Sequence, residues 1–121
     1  MNETARPQYI LLTIDVEDWF QVENFKSCIP YEAWPSCELR VERNTHRLLD
    51  LLDSVELPLL DRRIRTGDEG ATAAASRPKA TFFVLAWIAE RIPRLVREIR
   101  DRGHEIGSHG RTHRLCNTQS P

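Results

Sequence analysis

The sequence lacks the features that mark several large classes of protein. No run among its 121 residues approaches the roughly 20 apolar residues of a membrane-spanning helix, and no apolar signal-like segment precedes the first predicted strand. Lys and Arg total 17 against 18 Asp and Glu, so no net positive charge draws the chain to nucleic acid or anionic membrane. We therefore expect no transmembrane segment, no nucleic-acid partner and no Sec-dependent export. This favours the cytoplasm of a bacterium but leaves the location open.

Cysteine is also scarce. Cys28, Cys37 and Cys116 form no CxxC pair and are odd in number, which disfavours a disulfide framework and a zinc knuckle. Hydrophobic residues make up 40% and charged residues 29%, which is ordinary globular usage and argues against a disordered or fibrous chain. The length suits one domain, or part of one, over residues 1–121.

Three short segments predict buried parallel strands, at about residues 9–15, 79–85 and 104–108. The first two are continuous apolar runs bounded by polar residues, typical of strands covered on both faces, although periodicity alone does not exclude a helix. Amphipathic helices are predicted between the strands. This alternation favours an α/β fold with right-handed crossovers and functional residues at the carboxyl ends of the strands.

The connecting segments carry the predicted helices. One helix of about three turns has its apolar face at Val41, Thr45, Leu48, Leu49 and Leu52. A second apolar stripe begins at Ile88, with Pro93 predicted to open its main helix and Gly103 to end it. Residues 19–36 show no period, so we expect a loop whose aromatic side chains pack over the mouth of the fold or line a groove.

Residues 56–78 predict a flexible surface insertion. The stretch combines glycines, small residues and flanking prolines with no apolar stripe to bury. Long insertions add only about 0.6 kcal/mol of closure entropy per doubling of length. We therefore expect this loop to be dispensable for the core.

Ligand-type side chains follow the first and third strands. Asp15, Glu17 and Asp18 stand at the end of the first, and His109 and His113 follow the third. Because parallel strands end at one edge of a sheet, we expect both clusters within reach of one ion. The i, i+4 spacing places both imidazoles on one side of a helical turn, and clustered carboxylates favour a cation beside them. Two imidazoles and one carboxylate are typical of a catalytic metal site. The alternative interpretation of the acidic cluster is a solvated surface loop.

Three blocks of sequence, at residues 12–20, 79–85 and 103–113, carry a family resemblance. In this order they resemble the NodB-homology polysaccharide deacetylases of carbohydrate esterase family 4. The form Asp15-Val16-Glu17-Asp18-Trp19-Phe20 resembles the branch found with bacterial exopolysaccharide and exosortase-associated gene clusters. The resemblance implies a hydrolase that removes N-acetyl groups from a polysaccharide, cleaving non-peptide carbon–nitrogen bonds, on a distorted seven-stranded β/α barrel.

The resemblance also implies roles for individual residues. Asp15 resembles the catalytic base, which takes a proton from the attacking water. His109 and His113 resemble two ligands of a divalent ion, usually zinc and sometimes cobalt or nickel. The third ligand is an acidic residue shortly after the base, and either Glu17 or Asp18 could serve.

No segment resembles the later blocks of the family, which supply further barrel strands, an arginine that orients the base and a histidine general acid. We therefore expect an amino-terminal fragment of one catalytic domain, with negligible hydrolysis by these 121 residues alone. The alternative is a non-catalytic metal- or carbohydrate-binding remnant of the same fold. The reading frame beyond residue 121 would discriminate between an interrupted enzyme and such a remnant.

Overall fold

The computed structural model describes residues 10–57 and 77–115 of the chain. Within them it contains a three-stranded parallel sheet and three α-helices. The strands are β1, Thr13–Val16; β2, Thr81–Val84; and β3, Glu105–Ser108. The helices are α1, Val41–Ser54; α2, Ala86–Arg91; and α3, Pro93–Asp101. The predicted α/β class and parallel pairing are confirmed.

The register of the sheet aligns the three strand ends. Asp15 pairs with Phe83 across β1 and β2, and Phe83 pairs with Gly107 across β2 and β3. The sheet order is β1-β2-β3, so the chain leaves all three strands at the same edge. Side chains that follow β1 and β3 can therefore meet beyond the end of β2.

Each strand is shorter than predicted, and β1 differs most. The prediction began at residue 9, whereas β1 begins at Thr13, and Ile10 and Leu11 are 95% and 90% exposed. Their apolar character favours a strand, but a residue joins a sheet only where a neighbour supplies backbone hydrogen-bond partners. The bond from Thr81 N to Leu12 O, at 3.0 Å, lies where β1 meets the start of β2.

The hydrophobic core lies between the sheet and the helices. It includes Phe82 from β2, Leu49 from α1 and Ile99 from α3, each with no exposed surface. Helix α1 has 14 residues, longer than the predicted three turns. It buries the predicted face except for Leu48, which is 38% exposed because it lies at the border of the apolar stripe.

Pro93 separates α2 from α3. Ile92, with φ −127° and ψ 60°, is outside the helical region because the ring of a following proline disfavours helical geometry. Helix α3 begins at Pro93, as predicted. After α3, Gly103 adopts φ +81°, the left-handed conformation predicted for a glycine that ends a helix.

Residues 19–36 are more ordered than the predicted loop. They contain three short 3-10 helices, Trp19–Gln21, Glu23–Phe25 and Tyr31–Ser36. Phe20 and Trp34 are buried, and both rings pack edge-on against Trp87, with centroids 5.8 and 5.6 Å away. These two aromatic side chains therefore belong to the core rather than to an open mouth.

Two predictions concern more than the structure describes. The insertion predicted at 56–78 lies mostly outside the described residues, because 58–76 fall between the two ranges. The three parallel strands are compatible with part of a seven-stranded barrel.

Across the described ranges, every helix is too short or too polar to cross a membrane.

Candidate metal centre

Glu17, His109 and His113 meet at the edge of the sheet where the strands end. Their ligand atoms all lie within 4.8 Å of one another. Glu17 Oε2 is 3.0 Å from His113 Nε2 and 3.6 Å from His109 Nε2. An ion bound about 2.0–2.2 Å from nitrogen and oxygen ligands requires such separations between the ligands. These three side chains could therefore hold one divalent ion.

Two polar atoms at this centre, one on a carboxylate and one on an imidazole, lie in ion-pair contact with each other but make no hydrogen bond among the described residues. Glu17 Oε2 and His109 Nε2 are buried, and neither makes a hydrogen bond in the described part of the chain. An unsatisfied buried polar atom costs about 1–3 kcal/mol. A shared cation would satisfy both atoms, and one carboxylate with two imidazoles is a known catalytic zinc ligand set. The residues present fit the metal that the family resemblance implies.

Asp15 lies beside these three residues. Its Oδ2 is 3.9 Å from His109 Nε2, and its side chain is 53% exposed, against 19% for Glu17. Asp15 is thus close enough to act on a water molecule at the centre while remaining open to solvent. The structure brings it to the same edge as both histidines, where the sequence predicted it.

Asp18 has a different set of partners. Its Oδ2 accepts hydrogen bonds from the backbone N–H groups of Arg40 and Val41, at 2.7 and 2.9 Å, and its Oδ1 accepts one from Trp19 N at 2.9 Å. The residue is only 3% exposed. Its carboxylate caps the first 3-10 helix and fastens the following segment to the start of α1. Of the two acidic alternatives, Glu17 is the one that faces the histidines.

A sequence signal for the role of Asp18 was available. Gln21 stands three residues after it, and this spacing is that of a capping box. In the structure Gln21 Oε1 accepts a hydrogen bond from Asp18 N at 2.7 Å, which completes the box. The spacing therefore identifies Asp18, and not its neighbour Glu17, as the capping carboxylate.

The two histidines do not lie on a helical turn, so that part of the prediction is wrong. The residues after β3 form bends, and Gly110 and His113 both have left-handed backbones, with φ 77° and 56°. This conformation cannot continue a right-handed helix. The imidazole rings meet nonetheless, with centroids 4.9 Å apart.

The start of α2 holds the histidine loop in place. Ala86 N donates to Gly110 O at 2.8 Å, and Trp87 N donates to Arg111 O at 3.2 Å. The first N–H groups of a helix have no partner within it, so they are free to bind a neighbouring loop. His109 N also bonds to Val84 O at 3.0 Å. Backbone hydrogen bonds to β2 and to the start of α2 therefore hold the loop that carries both imidazoles.

Two cavities adjoin the centre. One, of about 190 Å³, has His113 in its wall, together with Tyr31 and Trp34. The other, of about 260 Å³, is lined in part by Asp15 and Glu17. Each cavity therefore shares at least one side chain with the centre.

A buried histidine outside the centre carried no functional signal in the sequence. His104 is 6% exposed, and its Nδ1 accepts a hydrogen bond from Ala80 N at 3.2 Å. Burial, together with the nearby Lys79 charge, holds the pKa of His104 below its ordinary value of 6.5. The neutral ring is therefore the form that joins the segment before β2 to the segment before β3.

The fold and these side chains describe an α/β protein with a candidate catalytic metal centre at the carboxyl ends of a parallel sheet. In comparison with known families, the model for polysaccharide deacetylases matches residues 72–121. The matched stretch includes β2, β3 and both histidines, while Asp15 and Glu17 precede it. Over this stretch, the match agrees with the resemblance recognised from the sequence blocks. Comparisons with curated proteins and with solved structures gave no match.

Proposed function

We propose that this protein is a metal-dependent hydrolase that removes N-acetyl groups from a polysaccharide. One observation carries the proposal, namely the convergence of Glu17, His109 and His113 in a chain whose histidine segment matches the polysaccharide deacetylase family. We assign these three as ligands of a divalent ion, with zinc as the first candidate. Asp15 is the proposed general base.

The fold supports the same assignment. In β/α barrels, catalytic side chains stand at the carboxyl ends of parallel strands, which is where this cluster lies. We propose that β1, β2 and β3 form part of a distorted seven-stranded barrel of the NodB type. The Asp15-to-Phe20 segment supports a place in the exopolysaccharide-associated branch, with an N-acetylated bacterial polysaccharide as the substrate.

When bound, a divalent ion supplies a Lewis acid for the amide carbonyl and for water. Asp15 accepts a proton from the water that attacks the acetyl carbon. The carbon–nitrogen bond then breaks, acetate leaves with the added oxygen, and the sugar amine takes up the proton. Asp15 can act here because its carboxylate lies 3.9 Å from His109, at the edge of the centre that solvent reaches.

The neighbouring Asp18 gives Glu17 a fixed position. The Asp18 carboxylate accepts hydrogen bonds from the backbone N–H groups of Arg40 and Val41, and these bonds hold the adjacent Glu17 near the histidines. Across the centre from Glu17, backbone hydrogen bonds to β2 and α2 hold His109 and the loop that follows it. Fixed ligands favour catalysis, since electrostatic stabilisation is strongest when the groups need no reorganisation.

A non-catalytic metal- or carbohydrate-binding module is the second candidate. The 53% exposure of the Asp15 side chain favours it, because bulk water weakens electrostatic stabilisation of a transition state. This candidate predicts metal binding with no hydrolysis, so one pair of measurements distinguishes the two.

The first measurement is a calorimetric titration with zinc. His109→Ala and His113→Ala should each weaken binding by more than about tenfold, because two ligands hold an ion poorly against water. His46→Ala is the matched control, since His46 is a half-buried histidine of α1 that pairs with Glu98 instead. Equal zinc affinity in all three variants would overturn the assigned centre.

The second measurement is acetate release from chitotetraose, with and without added zinc. The assay compares this chain with a version extended along its reading frame. The deacetylase proposal expects negligible release from these 121 residues and zinc-dependent release from the extended version, which His109→Ala should abolish. Zinc binding without acetate release by either version would favour the non-catalytic module.

A further inference from the structure

Helix α2 binds Arg111, which stands between the two histidines of the candidate centre, through three contacts. Trp87 N donates to Arg111 O at 3.2 Å. The Arg111 guanidinium meets the Glu90 carboxylate through two pairs of atoms, Nη1 with Oε1 at 2.9 Å and Nη2 with Oε2 at 3.3 Å. Trp87 and Glu90 are three residues apart, so they lie on one side of the helix. Arg111 is therefore held both at its backbone and at the end of its side chain.

Helix α2 is a firm support for these contacts. Trp87 and Ile88 are buried, and the Trp87 ring packs against Phe20 and Trp34 in the core. The Arg91 guanidinium lies over the same ring, 3.5 Å from its centroid. A loop residue that is bound to α2 is therefore bound to the core of the protein.

The place of Glu90 within α2 is unfavourable by local rules. It lies in the last turn of the helix, where the partial negative charge of the carboxyl end disfavours an acidic side chain. Its bond to Arg111 joins residues that are 21 positions apart in the chain. A side chain that is unfavourable locally and contacts a distant loop indicates a role in tertiary structure.

The backbone beyond Arg111 adopts a conformation that needs support. His113 has φ 56°, and within the described ranges it is the one residue other than glycine with a positive φ. This conformation costs free energy, although histidine tolerates it better than most residues do. From it, His113 Nε2 lies 3.0 Å from Glu17 Oε2. Strained backbones persist where surrounding contacts hold them, and Arg111 is bound only two residues away.

We propose that the Glu90–Arg111 ion pair positions His113, by holding the loop in the left-handed turn from which this ligand meets the ion. The inference rests on the proposed metal centre, and neither member of the pair is assigned as a ligand. The Arg111 and Glu90 side chains are 67% and 50% exposed, so their pairing stabilises the fold only weakly. Its loss should weaken zinc binding by about two- to fivefold and change the arrangement of the ligands around the ion.

The test compares Glu90→Gln with the parent chain by zinc calorimetry and by the visible absorption spectrum of bound cobalt. That spectrum depends on the geometry of the ligands, which a general loss of stability would not change. Glu90→Gln should weaken zinc binding by about two- to fivefold and alter the cobalt spectrum. Asp101→Asn is the matched control, because Asp101 pairs with Arg100 at a similar exposure, 63% and 65%, at the far end of α3. It should change neither measurement.

A charge swap distinguishes positioning from a general effect of substitution. Glu90→Arg brings two guanidinium groups together, and Arg111→Glu brings two carboxylates together, so each single variant should weaken zinc binding more than Glu90→Gln does. The double variant restores an ion pair of reversed polarity, so it should recover part of the zinc affinity and the cobalt spectrum of the parent. Losses that add in the double variant would overturn the proposal.

These results also separate the ion pair from the metal centre. Unchanged zinc affinity and an unchanged cobalt spectrum in Glu90→Gln, beside lost binding in His109→Ala, would overturn the positioning role and leave the centre intact. No zinc binding by the parent chain would overturn both. Equal losses in Glu90→Gln and Asp101→Asn would show that any exposed ion pair has this effect, and would likewise overturn the proposal.

Discussion

Glu17 Oε2 lies 3.0 Å from His113 Nε2, although Glu17 follows β1 and His113 follows β3. The carboxylate oxygen accepts no hydrogen bond from that nitrogen despite the short distance. Both atoms instead adjoin His109, whose Nε2 is equally without a hydrogen-bond partner among the described residues. The pair thus contributes two sides of one candidate coordination centre, and it makes Glu17 rather than Asp18 the proposed acidic ligand.

Glu17→Gln and Asp18→Asn should separate those two roles. Glu17→Gln should weaken zinc binding by about 10- to 100-fold, because an amide oxygen is a poor replacement for a carboxylate ligand. Asp18→Asn should lower the free energy of unfolding by about 1–2 kcal/mol through weaker capping bonds and leave zinc affinity close to that of the parent. Zinc calorimetry and urea unfolding of both variants provide the measurements. The opposite pattern would make Asp18 the ligand.

In a version extended along its reading frame, Asp15→Asn should remove hydrolysis without removing metal. Loss of a general base lowers turnover by about 10²- to 10⁴-fold, whereas the three assigned ligands are untouched. Acetate release and zinc affinity measured on the same preparation check both halves of this prediction. A zinc affinity that falls as sharply as turnover would show that Asp15 is itself a ligand.

His104 should make the fold sensitive to mild acid. Its pKa is lowered by burial in the folded chain, so the unfolded chain binds the proton more readily. Its contribution to stability is complete above the ordinary pKa of 6.5 and is lost as pH falls from there toward the folded value. Each unit of pKa difference is worth about 1.4 kcal/mol.

The matched variant is His104→Asn, which keeps an acceptor near Ala80 N but does not titrate. Urea unfolding at several pH values between 7.5 and 5.5 should show a shallower loss of stability for this variant than for the parent. Identical slopes would contradict the acid sensitivity assigned to His104.

Gly107→Ala should destabilise the sheet. A Cβ at this position would lie 2.6 Å from Cδ1 and Cε1 of Phe83 on the adjacent strand, which forces the ring or the strand to move. Overpacking of this kind costs about 1–3 kcal/mol. Chemical unfolding measures the loss, and adding Phe83→Leu should recover part of it by removing the opposing ring. Additive losses in the double variant would contradict the proposed clash.

Much of the framework could be predicted because it depends on strong local patterns. The apolar face of α1 and the turn at Gly103 are encoded by residues close in sequence, and both are found. The parallel pairing follows from alternating strands and helices, and it places Asp15 near the histidines. Strand ends were predicted less well, since Ile10 is apolar but has no partner strand among the described residues.

The remaining features depend on contacts between distant residues. The Asp18 carboxylate accepts hydrogen bonds from the backbone N–H groups of Arg40 and Val41. Because nearly every residue type has a backbone N–H group, the sequence does not indicate these partners. The histidine loop takes its shape from α2 rather than from the spacing of its own residues. The lack of an acceptor for Gln21 Nε2 and Trp34 Nε1 among the described residues likewise depends on how distant segments pack.

The bonds from Ala86 and Trp87 to the histidine loop bear on how the protein would respond to chelators. In zinc-finger peptides the ion itself organises the chain, so chelation unfolds them. Here a helix terminus and a strand hold the loop through backbone groups that take no part in coordination. Chelation should therefore leave the circular dichroism of the protein unchanged, and different divalent ions should exchange at the centre without refolding of the chain.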